Sequence, residues 1–233
     1  MIADNATPPP VQSLRLQLDA GIATVELHRP QQLNALTPAL MHELIAAAQW
    51  LAALPTLRIV VLAGSGRAFC AGFDLEAMRA SRGGTDREAT DLGRRLIAAW
   101  LAIPVPTLAA VQGHCVGGGV LLAAACDLRL AADDARFWIP EMALGIPLGW
   151  GGVPLLTRLL GPALAMELVL DCRPFDAPQA LAWRFVNRVL PAAELDAAAQ
   201  SWARQLAERP LQSLRTTKRR FAAVADMLCT LQG

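Results

Sequence analysis

Three consecutive glycines, Gly117 to Gly119, constrain this chain more than any other feature of its sequence. They follow an apolar strand predicted over Thr107 to Val111 and open a predicted helix, so backbone N–H groups can approach a ligand there with no side chain in the way. Further along, Glu141 follows a proline in an otherwise apolar stretch. The pairing predicts an oxyanion-binding site that faces an acid/base.

Two common glycine motifs are excluded at this position. No Lys-Ser or Lys-Thr pair follows Gly119, so the run is not a phosphate-binding loop, and it lacks the GxGxxG spacing of a dinucleotide site. Two interpretations remain open on this motif alone. Either the first N–H groups of the helix, including that of Gly118, point into a cleft, or glycine is needed for close packing of the helix against a strand.

Composition limits the classes of protein that the chain can belong to. Its 233 residues, 54% of them hydrophobic, fit one large domain or one domain with a helical appendage. The 21 basic and 20 acidic side chains nearly cancel, which argues against a nucleic-acid partner. No apolar run has transmembrane length, and the N-terminus lacks the pattern of a secretory signal.

Reactive side chains other than Glu141 show no functional spacing. Five cysteines without a CxxC pair favour a reducing cytoplasm, and we interpret Cys70, Cys126, Cys172 and Cys229 as packing residues. The three histidines have no metal-ligand spacing, so no metal site is predicted. Ser65 lies in Gly-Ser-Gly, which is not a hydrolase elbow. His114 and Cys115 are adjacent on a predicted turn, so their side chains should diverge.

The order of the elements favours an α/β domain. Short strands alternate with helices over most of the chain, and helices dominate after Val153. Thr37 is a predicted helix cap with Pro38 at the first helical position. The apolar residues predicted to form the inner face of that helix are Leu40, Leu44, Ala47, Ala48 and Leu51. The strands are predicted at 14–18, 22–27, 58–63, 107–111, 128–131, 136–138 and 185–190, and the main helices from residue 38, at 86–101 and at 153–160, 162–170, 177–183, 192–208 and 210–228.

Two further stretches suggest chemistry. Small residues and a glycine between Arg67 and Leu75 allow a tight turn that exposes backbone donors, with Asp74 as a helix cap. An ordinary strand-to-helix loop would have the same sequence pattern. Burial of Glu141 would raise its pKa and make it a proton shuttle near neutral pH, unless it lies at the edge of a loop.

Together the motifs resemble those of the crotonase, or enoyl-CoA hydratase/isomerase, superfamily. The resemblance extends from about residue 12 to 221 and rests on five motifs in order: Arg29-Pro30 to Asn34-Ala35-Leu36, Ala68 to Leu75, Gly113 to Cys126-Asp127, Pro140-Glu141, and Leu181-Ala182 to Val186-Asn187-Arg188-Val189-Leu190-Pro191.

The resemblance implies a crotonase-like spiral of ββα units with a C-terminal helical region, homotrimers or dimers of trimers, and an acyl-CoA thioester substrate, coenzyme A being part of the substrate and no other cofactor being needed. The backbone N–H groups of Phe73 and Gly118 would hold the thioester oxygen, and Glu141 would be the acid/base. The substrate path would be lined by Gln32, Leu33, Ala71, Gly72, Asp74, Leu75, Leu121 and Trp150, with Arg29 and Arg67 as phosphate partners.

Three departures from the family bear on the reaction. Hydratases of the family carry a second glutamate three residues after the middle glycine, where this chain has Leu121. Trp150 replaces a residue that is usually small and could fill the volume of a water. The third departure is a shortened C-terminal region. The expected division is a disordered lead over 1–11, a spiral core over 12–191 and this shortened C-terminal helical trimerisation region over 192–233.

The resemblance and its departures lead to one expected function and several alternatives. We expect an acyl-CoA enzyme that stabilises a thioester enolate with Glu141 as its single acid/base, and that favours double-bond isomerisation over hydration. The alternatives are a weak hydratase, a thioester hydrolase, a decarboxylase, or a non-catalytic acyl-CoA binding protein.

Overall fold

A computed structural model describes residues 7–74 and 86–230 of the chain. Leu75, the glycine-containing segment 81–85 and the start of the lead lie outside these ranges. The strands of the described ranges are β1 (Leu14–Asp19), β2 (Ile22–Leu27), β3 (Ile59–Gly64), β4 (Ala68–Cys70), β5 (Thr107–Val111), β6 (His114–Val116), β7 (Leu128–Ala132), β8 (Arg136–Trp138), β9 (Phe175–Asp176) and β10 (Arg188–Leu190). The helices there are α1 (Pro38–Ala53), α2 (Asp86–Leu101), α3 (Gly118–Ala124), α4 (Gly152–Leu160), α5 (Pro162–Asp171), α6 (Ala177–Ala182), α7 (Leu195–Ala207) and α8 (Leu211–Thr230).

The strands form two sheets that are wound together. The six-stranded sheet has the order β1-β2-β3-β5-β7-β10, and the four-stranded sheet has the order β4-β6-β8-β9. In each of the pairs β3/β4, β5/β6 and β7/β8, the first strand joins the large sheet and the second joins the small one. Each pair leads towards a helix, so the repeating ββ-then-helix plan confirms the predicted α/β class.

Side chains that alternate along the large sheet supply two cores. Val60 and Leu62 face one core together with helices α1, α2 and α3. Ile59 and Val61 face the opposite side, where α7 covers the sheet. Burial on both faces explains why these parallel strands read as continuous apolar runs.

The prediction for helix α1 is confirmed in detail. The Thr37 hydroxyl accepts a hydrogen bond from the backbone N–H of Leu40 at 3.2 Å, and Pro38 occupies the first turn. The apolar positions predicted to face inwards are all fully buried: Leu40, Leu44, Ala47, Ala48 and Leu51.

Two short strands were missed by the sequence reasoning. The stretch after Gly64, predicted as a continuous loop, contains β4, and the predicted turn at His114 and Cys115 lies in β6. Glycines flank both stretches and predict turns there, so only pairing with partners elsewhere in the chain defines these two strands. The two side chains do diverge, since His114 is exposed and Cys115 is buried.

The predicted strand over 185–190 is shorter than expected. Arg184 has a positive φ of 61°, and the N–H of Phe185 donates to the carbonyl of Ala180 at 2.8 Å. The first part of the predicted strand therefore closes the end of helix α6. Only Arg188–Leu190 pairs with β7.

Helix α8 is held against the core by charged side chains. Lys218 Nζ lies 2.8 Å from Asp127 Oδ2 and donates to the carbonyl of Val105 at 3.0 Å. The same carboxylate accepts hydrogen bonds from both the N–H and the hydroxyl of Thr107. Among the helices of the described ranges, none combines the length and apolar character that crossing a membrane requires.

Candidate active site

One cavity of about 670 Å³ brings together most of the residues predicted to act on a substrate. Phe73, Gly118, Glu141, Ala71, Gly72, Leu121 and Trp150 all line it. The rest of its wall comes from Thr90 and Asp91 on α2, from Val116, Gly117, Trp138 and Pro140, and from the loop 144–149. The lining is mostly apolar, which suits a hydrocarbon chain.

The segment around Phe73 is fixed by pairing with Leu36. The N–H of Leu36 donates to the carbonyl of Gly72 at 2.7 Å, and the N–H of Asp74 donates to the carbonyl of Leu36 at 3.0 Å. Because successive N–H groups of an extended chain point in opposite directions, the N–H of Phe73 is directed away from Leu36.

Gly72 brings this segment against the glycine turn. Its φ is +88°, and a Cβ there would lie 2.7 Å from the carbonyl oxygen of Val116 and 3.7 Å from the backbone nitrogen of Gly118. Any side chain would force the two segments apart. The backbone of residues 72–73 therefore lies beside that of Gly118.

Gly117 and Gly119 meet different structural requirements within the glycine run. Gly117 has φ 50° and ψ −117°, and the N–H of Leu121 donates back to its carbonyl, so the first N–H groups of α3 lack acceptors within the helix. At Gly119 the requirement is packing, since a Cβ there would lie 2.6 Å from the carbonyl oxygen of Cys70.

Glu141 begins a short 3₁₀ turn, Glu141–Leu144, immediately after β8. Its Oε1 would lie 2.7 Å from a Cβ at Gly117, so the carboxylate rests against the glycine turn. Its Oε2 is buried and has no hydrogen-bond partner within the described ranges. Burial raises the pKa of Glu141 above the ordinary glutamate value, and the residue's own backbone N–H partly offsets that shift.

Leu121 and Trp150 are two apolar side chains of the same cavity wall as Glu141 and Gly118. Leu121 is 2% exposed, and its Cδ2 would touch a Cβ at Gly152 at 3.0 Å. The Trp150 ring meets the Phe73 ring edge to face, with 6.0 Å between their centroids.

Other predicted substrate-binding residues lie away from the cavity wall. Leu33 accepts a hydrogen bond from the N–H of Ala71 at 2.9 Å, so the loop that also carries Gln32 is fastened to the cavity-lining segment. Asp74 Oδ2 lies 3.7 Å from Arg29 Nη1. Leu75 falls outside the described residues.

Sequence reasoning gave Asn34 no role of its own, although it is fully buried at the centre of this loop. Its Oδ1 accepts from the N–H of Arg29, and its Nδ2 donates to the carbonyls of Ser65 and Ala68 at 2.9 and 2.8 Å. It also has a left-handed backbone with φ 56°, which asparagine tolerates better than most residues. The only signal that the sequence offers is a polar asparagine between two apolar residues, Leu33 and Ala35.

Thr90, Asp91 and Trp138 were also missed as cavity residues. The register of α2 relative to the cavity depends on how that helix packs, which its own sequence does not encode. Asp91 is exposed and accepts a hydrogen bond from Arg94 at 2.9 Å. Trp138 donates from its indole nitrogen to the carbonyl of Cys172 at 2.6 Å.

The cysteines of the interior are poorly suited to nucleophilic chemistry. Burial raises the pKa of Cys70 to about 12 and that of Cys126 to about 11. Both thiols are therefore protonated and unreactive at neutral pH. Within the described ranges, no group of three histidine, cysteine or acidic side chains could hold a metal ion.

Comparison with known proteins places the chain in one family. The family model described as enoyl-CoA hydratase/isomerase matches residues 17–232. A probable enoyl-CoA hydratase of Mycobacterium bovis is 37% identical over 210 residues, which cover 89% of this chain and 80% of the relative. A probable enoyl-CoA hydratase of Mycobacterium leprae is 38% identical over 200 residues, covering 84% and 76%.

Solved structures agree with the sequence match. The enoyl-CoA hydratase from Bacillus anthracis superposes with a TM-score of 0.86 at 31% identity, over 91% of this chain and 83% of that one. An enoyl-CoA hydratase from Mycobacterium avium gives 0.86 at 30% identity, over 93% and 87%. On the family match and on these relatives, the chain belongs to the enoyl-CoA hydratase/isomerase family.

Proposed function

We propose that this protein is an acyl-CoA enzyme that stabilises a thioester enolate and shifts a double bond between positions 3 and 2 of the acyl chain, with Glu141 as its single acid/base. Membership of the family supports the acyl-CoA substrate. One observation carries the choice of reaction: Glu141, whose buried Oε2 has no hydrogen-bond partner among the described residues, shares a cavity with Gly118 and Phe73, whereas position 121 beside them is a buried leucine.

The thioester oxygen would accept hydrogen bonds from the N–H groups of Phe73 and Gly118. This assignment is supported by the closeness of the two segments and by the direction that the Leu36 pairing gives to the Phe73 N–H. Preorganised donors aimed at a developing oxyanion each contribute about 3 kcal/mol to stabilising the transition state.

Glu141 would then move one proton between two carbons. It removes the proton from C2 of a 3-enoyl thioester, and the electron pair of that C–H bond delocalises into a dienolate held at the oxygen. The same carboxyl group returns the proton to C4, which leaves the double bond between C2 and C3. A carboxyl whose pKa is raised towards neutrality by burial is suited to both halves of this transfer.

Hydration is the second candidate, because the mycobacterial relatives named above are described as probable enoyl-CoA hydratases. It requires a water that is oriented and deprotonated, and the leucine side chain at position 121 can do neither. Trp150 lies in the same cavity and takes up room that a water would need. We therefore expect hydration to be much slower than isomerisation.

The coenzyme A part of the substrate would lie along the loop that joins the Gln32 region to the Ala71 segment. Ala71, Gly72, Asp74 and Leu75 would follow its pantetheine arm, together with Gln32 and Leu33, and Arg29 and Arg67 would meet its phosphates. Coenzyme A arrives with the substrate, so no separate cofactor is proposed. A cytoplasmic homotrimer or dimer of trimers is the assembly we expect.

The test is to incubate the protein with 3-enoyl-CoA and 2-enoyl-CoA esters and to follow the absorbance of the conjugated thioester. We expect migration of the double bond in the wild type and its loss in Glu141→Gln. Asp91→Asn is the matched variant, because Asp91 is the other carboxylate that the described cavity wall contains, and it is exposed and paired with Arg94. Retained migration in Glu141→Gln, or faster hydration than migration in the wild type, would overturn the proposal.

A further inference from the structure

We propose that Trp150 determines the acyl specificity of this site. Its indole limits the width of the cavity beside the reacting carbons, so only acyl groups that are unbranched next to the thioester fit. The proposal rests on the function proposed above, because it places the thioester at Gly118 and the base at Glu141. It goes further by assigning a class of substrate to the site.

The indole of Trp150 lies in a slot between two helices that glycine alone keeps open. A Cβ at Gly93 on α2 would lie 2.0 to 2.1 Å from Cε2, Cδ2 and Nε1 of the indole. A Cβ at Gly118 on α3 would lie 2.4 Å from Cζ3 and 2.7 Å from Cη2 of the same ring. The two ends of the indole therefore touch two different helices.

The backbone around Trp150 helps to hold the ring in that slot. Trp150 has a φ of +59°, which is uncommon for a bulky residue and persists where the surroundings fix the conformation. The N–H of Gly152 donates to the carbonyl of Gly149 at 2.8 Å, which closes a turn around the tryptophan. The edge-to-face contact with Phe73 supports the ring from the cavity side.

The position of the ring relative to the reacting groups decides what it would select. Consecutive residues carry the two contacts: Gly117 borders the Glu141 carboxylate, and Gly118 borders the indole. An acyl chain whose thioester oxygen is held at Gly118 and whose C2 and C4 face Glu141 must pass beside the indole. A methyl branch at C2 or C3 would enter the volume that the ring occupies.

The expected discrimination against a branched acyl group can be estimated from the selectivity of apolar pockets in other enzymes. A packed wall cannot yield to an added methyl without displacing side chains, and one methylene changes discrimination by roughly 10- to 200-fold. We expect the wild type to bind hexanoyl-CoA at least about 10-fold more tightly than 2-methylhexanoyl-CoA. Both esters are saturated, so neither can undergo the proposed isomerisation.

The experiment measures the affinity of both esters by calorimetry for the wild type, Trp150→Ala and Trp150→Phe. The ratio of the two affinities should fall towards one in Trp150→Ala and to an intermediate value in Trp150→Phe, which keeps an aromatic ring and guards against a folding defect. Trp138→Ala, which removes the other tryptophan of the described cavity wall, should change both affinities in the same proportion.

Gly93→Ala adds an independent measurement. Alanine is a better helix former than glycine, so the new methyl acts through its contact with the indole. It should alter the affinity ratio in the wild type and have no effect in the Trp150→Ala background, which a double-mutant cycle detects.

Equal affinity of the wild type for the two esters, or an unchanged ratio in both Trp150 variants, would overturn the assignment of Trp150. If the affinity ratio responds to the Trp150 variants as expected but the wild type shows no double-bond migration, the assignment of Trp150 is supported and the proposed reaction is overturned. Failure of the wild type to bind either ester would overturn both.

Discussion

The carboxylate of Glu141 rests on the bare face of Gly117, with its Oε1 only 2.7 Å from the place where a Cβ would be. The glycine thus fixes the position of the carboxylate by leaving room for it. Its φ of 50° and ψ of −117° also suit glycine far better than any other residue.

We predict that Gly117→Ala reduces double-bond migration by about 100-fold, because the methyl must displace the base by a distance comparable to a misplacement of 1 Å. The measurement is kcat/KM on a 3-enoyl-CoA ester. Gly161→Ala is the matched control, since Gly161 has φ +76° but open space around its Cβ and lies outside the cavity wall. Equal losses of activity in the two variants would show that backbone strain, not displacement of Glu141, is responsible.

The pH dependence of the reaction should report the burial of Glu141. The carboxylate must be ionised to remove a proton, and desolvation raises its pKa. We therefore expect kcat/KM to fall on acidification with an apparent pKa above that of an ordinary glutamate. A profile that stays flat down to the ordinary glutamate value would contradict the assignment.

The same burial should make Glu141→Gln more stable than the wild type at neutral pH. Since the folded pKa is raised above the unfolded value, the folded state binds more protons between the two, and stability falls as pH rises through that window. The neutral amide removes this penalty. Chemical denaturation at several pH values should show a gain for Glu141→Gln above the raised pKa that shrinks towards the ordinary glutamate pKa.

Long elements with a clear period could be predicted from the sequence alone. The cap at Thr37 and the inward-facing residues of α1 were correctly predicted, because they depend on local chemistry within a single helix. The strands β4 and β6 could not be, because glycines flank both of them and predict turns, and only pairing with distant partners defines them.

Cavity residues could be predicted where a glycine signals a requirement of the backbone. Those whose position depends on how helices and loops pack against each other were missed. Gly72 lies against the backbone of Val116, whereas Gly117 and Gly118 leave room for the side chains of Glu141 and Trp150. That Gly93 faces Trp150 depends on how α2 lies over the cavity, and no local pattern records it. The role of Asn34 was hidden for the same reason, since its partners belong to another loop and strand.

We predict that Asn34→Ala lowers the free energy of unfolding by about 3 kcal/mol, because it removes the three hydrogen bonds that this fully buried side chain makes with the N–H of Arg29 and the carbonyls of Ser65 and Ala68, and places alanine at a positive φ. Asn187→Ala is the matched control. Its side chain is exposed and accepts one hydrogen bond, from the N–H of Arg129, so about 1 kcal/mol is expected. Denaturant titration measures both, and equal losses would contradict the role of Asn34.

The last prediction concerns Leu121, the residue on which the choice between isomerisation and hydration depends. Leu121→Glu places a carboxyl on the cavity wall at the position where the family resemblance predicts a second glutamate. Hydration of a 2-enoyl-CoA ester should therefore rise at least about 10-fold, a modest share of the roughly 100-fold or more that a well-positioned acid/base contributes. The rise should be larger when Trp150→Ala is added, because removal of the indole leaves room for the attacking water. Leu121→Gln controls for polarity, since an amide can hydrogen-bond to water but cannot remove its proton. Equal hydration by the glutamate and glutamine variants would show that the missing carboxylate is not what limits water addition, and the choice of isomerisation over hydration would then rest on Trp150.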